Sequence, residues 1–69
     1  MELTASQSRV LSFIEDHIDS MGFPPTRSEI AKGLGFSSAN SSQCHLIALQ
    51  KLGVISIFPK VSRGIKLTN

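Results

Sequence analysis

Sixty-nine residues with one cysteine make a single small domain, one that buries only about 60% of its unfolded surface and has no internal disulfide or cysteine-rich metal site to brace it. No apolar run approaches the roughly 20 residues that span a bilayer, and the MELTASQSR start lacks the basic and apolar segments of a signal peptide, so a cytosolic location is expected. The net charge of +2 is unevenly placed: the first 29 residues hold all five acids against two bases (Arg9 and Arg27), a balance of −3, whereas residues 30–69 hold five bases and no acid. A polyanion approaching the second part meets one sign of charge.

Thr4-Ala5-Ser6-Gln7 has the spacing of a capping box and predicts a first helix over residues 5–21. Val10, Leu11, Ile14, Ile18 and Met21 recur at three- and four-residue steps, so one stripe of that helix faces a core. Gly22 suits a left-handed helix end, and Pro24-Pro25 prevents resumption. A second capping box, Thr26 to Glu29, opens a short helix over residues 27–34 that buries Ile30, Ala31 and Leu34. Gly35 stops it, and Phe36 is expected to plug the turn from inside.

Ser38 is the candidate N-cap of a third helix over residues 39–52. At about 100° per residue, Leu46, Leu49 and Leu52 fall on the buried side, flanked by Ser42 and His45. Asn40, Gln43, Cys44, Ile47 and Lys51 point the other way, and Ser41 and Ala48 sit on the boundary. The β-branched run at residues 54–58, the turn Pro59-Lys60-Val61-Ser62 and a return strand at residues 63–67 read as a β-hairpin, which needs helices to lie on. The expected fold is mainly α with a small β-hairpin, a three-helix winged helix-turn-helix filling residues 1–69.

In such a fold the third helix reads DNA. Asn40 and Gln43 each offer a donor and an acceptor, which adenine N6 and N7 can match together; the plain alternative is an exposed polar face. Ser38 is a helix cap first and a DNA contact second. Lys60, Arg63 and Lys66, on the hairpin, are candidates for phosphate or minor-groove contact, or else solvated charges. Arg27, in the first turn of the second helix, and Lys51 complete the backbone candidates. The Cys44-His45 pair invites a metal or nucleophile reading, but adjacent helix residues diverge by about 100°. Zinc needs about four converging ligands, and His17 is on a different helix. No metal, cofactor or catalytic residue is expected; His45 is expected to be half-buried beneath the wing.

Three stretches carry a family resemblance: LTASQ near the start, GFPPTRSEIAKGLGF in the middle, and HLIALQKLGVI followed by SRGIKL at the end. Together they resemble the N-terminal DNA-binding domain of LexA-type SOS repressors over essentially the whole chain. The resemblance implies a bacterial or phage repressor that binds a double-stranded operator as a two-fold dimer, with CTGT-type half-sites in the best-known members. It places the third helix in the major groove and the wing near the minor groove. Carried over position by position, the base-contacting residues are Ser38, Asn40, Ser41, Gln43 and Cys44.

This sequence departs from the best-known members in that region. They have alanines where it has Ser41 and Ser42, acids where it has Gln43 and Cys44, often a proline at Ala39, and usually a lysine at Ile47. An acid accepts from cytosine N4, whereas Gln suits adenine, so a different operator is expected. LexA-type proteins also continue into a domain with a cleavable peptide and a Ser-Lys dyad, and these 69 residues contain none, so they are not expected to be an enzyme. Two rival readings remain: a winged helix for protein–protein contact through Ile47 and Phe58, or the DNA-binding fragment of a self-cleaving peptidase.

Overall fold

The computed structural model describes residues 3–58, 60, 61 and 63–68. Helices α1 (Ala5–Met21), α2 (Arg27–Leu34) and α3 (Ala39–Lys51) precede strands β1 (Ile55–Ile57) and β2 (Ile65–Leu67). The architecture is a mainly helical winged helix-turn-helix.

The first two helices start with the same device. The Gln7 amide donates to Thr4 Oγ1 (3.1 Å) and the Thr4 amide donates to Gln7 Oε1 (2.9 Å). At α2 the Glu29 amide donates to Thr26 Oγ1 (3.1 Å) and the Thr26 amide donates to Glu29 Oε1 (2.8 Å). Each box satisfies amides that a helix start leaves without intrahelical partners. Gly22 and Gly35 end α1 and α2 in the left-handed region, at φ +85° and +76°. Helix α3 ends at Lys51, one residue before the expected end, with Leu52 as a right-handed cap, and the chain turns at Gly53.

Every element sends a side chain to one core: Val10 and Ile14 from α1, Ile30 from α2, Leu46 and Leu49 from α3, Ile55 from β1 and Ile65 from β2. A two-stranded hairpin has little stability alone; here its isoleucines complete the helical core. Met21, expected on the buried stripe of α1, is instead 60% exposed. A 17-residue helix is about 25 Å long at 1.5 Å per residue, close to the largest extent of the molecule, 27 Å. Its C-terminal end therefore lies at the edge: Ile18 still packs against the core, and Met21 lies past it.

The hairpin is antiparallel, with Ile55 opposite Leu67, Ser56 opposite Lys66 and Ile57 opposite Ile65. Its strands are shorter than the expected 54–58 and 63–67. The Val54 amide still donates to the Leu49 carbonyl (3.2 Å), as part of the exit from α3, and Arg63 lies in the turn. Of the expected turn Pro59 to Ser62, Pro59 and Ser62 lie outside the described residues. Beyond the ladder, the Phe58 amide donates to the Gly64 carbonyl at 2.7 Å and the Gly64 amide to the Val61 carbonyl at 3.1 Å. A Cβ at residue 64 would overlap the Phe58 carbonyl oxygen, so only glycine allows this close approach.

One buried group is at odds with its surroundings. Ser42 is fully buried on the core side of α3, and its hydroxyl finds no hydrogen-bond partner among the described residues. An unsatisfied buried hydroxyl costs about 1–3 kcal/mol. Ser42→Ala should therefore raise the unfolding free energy by about 1–3 kcal/mol, read as a higher denaturant midpoint at unchanged m-value. A lower midpoint would show that the hydroxyl is bonded in solution.

Candidate nucleic-acid interface

The turn between α2 and α3 is set by packing beneath it. After Gly35 the Phe36 amide donates back to the Ala31 carbonyl (2.8 Å), and the half-buried Phe36 ring packs against the core. His45 stacks on that ring, with centroids 5.1 Å apart and planes at 13°. Its Nδ1 lies 2.7 Å from the Ser41 carbonyl, and since a carbonyl only accepts, Nδ1 carries the proton in that bond. The residue expected beneath the wing thus braces the helix-turn-helix turn instead, because the aromatic face on offer there is Phe36.

Above this turn α3 presents its first turns to solvent. Ser38 occupies the N-cap position, but its side chain makes no capping hydrogen bond. The capping role expected for its hydroxyl is therefore not taken up. Asn40 and Cys44 are exposed, Ser41 and Gln43 half-buried, and Lys51 is exposed at the far end of the helix. Ile47 is 42% exposed on the same side. Arg27 donates from its guanidinium to Gln43 Oε1 at 2.9 Å, tying the first turn of α2 to the outer face of α3.

Between α3 and the wing lies a cleft of about 360 Å³, whose walls include Arg27, Gln43, Phe58, Lys60 and Val61. Arg27, Gln43 and Lys60 are thus brought together, with Phe58 50% and Val61 60% exposed at the wing side. Lys66 is not on this cleft. It pairs with Ser56 in the ladder and alternates with the core-packed Ile65 and Leu67, so it projects from the opposite face of the hairpin.

Arg63, expected to contact DNA, is already engaged inside the fold. Its guanidinium donates to Glu29 Oε1 at 2.6 Å and Oε2 at 3.0 Å, and to the Pro24 carbonyl at 2.9 Å. Its Cζ lies 4.6 Å from the centroid of the Phe23 ring, which also meets the edge of His17. A forked, cation-stacked arginine of this kind holds geometry that a lysine would not. Sequence reasoning missed this attachment: Glu29 read as a capping residue, and nothing local marks a partner 34 positions away.

The hydrogen bonds from Arg63, followed by that from the Thr26 amide, lower the Glu29 carboxyl from 4.5 to about 2. The same pair raises the Arg63 guanidinium. A folded-state value below the unfolded one contributes stability that is complete above about 4.5 and is lost as pH falls through about 2. Melting temperature should therefore fall more steeply in wild type than in Glu29→Gln as pH drops from about 4.5 towards 2. Parallel curves would show that the ion pair does not hold the wing.

Among the described residues there is no group of three or more His, Cys, Asp or Glu side chains placed to hold a metal ion, and no helix is long and apolar enough to cross a membrane. The family model described as LexA DNA binding domain matches residues 1–64. A LexA repressor of Marinobacter nauticus is 54% identical over 67 residues, covering 97% of this chain and 33% of that protein. LexA repressors of Idiomarina loihiensis and Edwardsiella ictaluri are each 55% identical over 65 residues, covering 94% of this chain and 32% of theirs. The chain spans about a third of the length of these curated relatives.

Proposed function

The chain belongs to the LexA DNA-binding domain family, and on that premise we propose that it is the operator-reading module of a transcriptional repressor. In this reading α3 enters the major groove of double-stranded DNA. Ser38, Asn40, Ser41, Gln43 and Cys44 meet base edges, and Arg27, Lys51 and Lys60 meet phosphates. The observation that carries it is the juxtaposition of a solvent-facing, acid-free first half of α3 with Arg27 and Lys60 across one cleft. Arg63 acts by holding the wing in place, and Lys66, on the other face of the hairpin, adds to the general positive field.

The relatives carry the word repressor in their names, and regulation of an SOS type is proposed for this chain by that kinship. Two copies on a two-fold operator, with half-sites about one helical turn apart, would give each α3 the same groove face. The domain alone is proposed to self-associate weakly and to work in the cytoplasm, at the nucleoid. No reaction is assigned to these residues. A protein-docking role has one observation in its favour, the exposed Ile47, Phe58 and Val61. Added salt separates the two, since phosphate binding weakens steeply with salt and apolar docking does not.

Asn40→Ala should cost about 1–3 kcal/mol on the preferred duplex and almost nothing on random duplex. Equal losses on both would reduce Asn40 to a positioning contact. Lys60→Ala should weaken all duplexes alike and lower the salt slope by about one, with the melting temperature unchanged. Arg63→Ala should instead lower the melting temperature. A stable Arg63→Ala protein with a reduced salt slope would return Arg63 to the phosphate contacts.

A further inference from the structure

Gln43 is not a freely rotating amide. Its Oε1 accepts from Arg27 at 2.9 Å. A guanidinium has only donors, so the carbonyl end of the amide must be the end that faces it. Arg27 stands on the cleft side of α3, which leaves Gln43 Nε2, with its two hydrogens, as the end turned away from the guanidinium. A glutamine that reads adenine uses both ends, accepting from N6 and donating to N7. One lone pair of Oε1 is taken by Arg27 and that end of the amide is turned towards the guanidinium, so the donor end is the one better placed to meet the groove.

Building on the base-reading role proposed above, we propose that Arg27 is a positioning residue that sets what Gln43 reads, favouring guanine over adenine at the base pair it meets. Guanine presents two neighbouring acceptors, N7 and O6, in the major groove. Adenine presents N7 beside the N6 amino group, which opposes a second donor. The same guanidinium that lies near the DNA backbone thereby makes a side-chain choice on the bases, without touching them. Gln43 is half-buried and Arg27 exposed, and both line the same open cleft.

The test is a selection from random duplexes by the 69-residue chain, with Gln43→Ala and Arg27→Ala run alongside. Gln43→Ala identifies the base pair read by residue 43, as the one position whose preference it erases. If it erases none, the base-reading role of Gln43 fails and the inference falls with it. At that position wild type should enrich G·C over A·T, and Arg27→Ala should raise the A·T to G·C ratio by about fivefold or more. Loss of a phosphate contact alone would weaken every duplex and leave that ratio unchanged. Arg27→Met, which keeps the stem and drops the donors, should shift the ratio in the same direction. A Gln43-dependent position whose ratio neither Arg27 variant moves, or at which wild type already favours A·T, would overturn the positioning role while leaving base reading by Gln43 intact.

Discussion

The carboxylate of Glu29 joins the start of α2 to the base of the wing by directional bonds that the shared core does not supply. Its Oε1 accepts both the Thr26 amide that starts α2 and one arm of the Arg63 guanidinium, and its Oε2 accepts the other arm. An exposed ion pair contributes little by itself. This one is forked, shares its acceptor with a helix cap, and brings in the Pro24 carbonyl and the Phe23 ring on the same guanidinium. The start of α2 and the base of the wing are thereby set relative to each other. Arg27, in the first turn of α2, and Lys60, on the wing, then line one cleft with Gln43 between them.

The core does the coarser part of the same task. Ile55 and Ile65 bring the hairpin against Leu46 and Leu49 of α3, but apolar contact is non-directional and sets distance better than angle. The close approach at Gly64 and the hydrogen bonds through Phe58 and Val61 shape the wing's tip. On the other side of α3, Phe36 and His45 form a flat stack under the turn. Helix α3 is thus braced along its inner side, while Asn40, Cys44 and Ile47 have solvent on theirs.

Much of this was legible in the chain because it is local. Both capping boxes, the glycine stops and the buried step of Leu46 and Leu49 follow from residues three or four apart. The strands were overextended because β-propensity continues through Val54 and Phe58, while the pairing is limited by the helix exit on one side and the turn on the other. Met21 was misplaced because periodicity marks a face and says nothing of where the core ends. The candidate site was legible as a set of side chains and not as a set of pairings. Charge pattern picks out Arg27 and Arg63 equally; only the tertiary structure gives one to Gln43 and the other to Glu29.

The differences from the best-known family members fall mostly where the scaffold can tolerate them. Cys44 is exposed and Gln43 half-buried in the first turns of α3, outside the core cluster that Leu46 and Leu49 join, so their exchange alters what the helix offers its surroundings and leaves that cluster in place. Replacing an acid by Gln43 also removes a charge next to Arg27, turning what would be an ion pair into a hydrogen bond from a cation to a neutral amide. The guanidinium is then less strongly held and more available to a phosphate, while the amide keeps an orientation that an acid, with two equivalent oxygens, does not have. Ser42 is the exception among these positions. It lies on the buried face with its hydroxyl unpaired among the described residues, so it changes nothing a groove would meet and weakens the packing beneath it. Adjacent serines in the sequence are therefore unlike in consequence: Ser41 borders the surface proposed to read DNA, and Ser42 is buried on the core side.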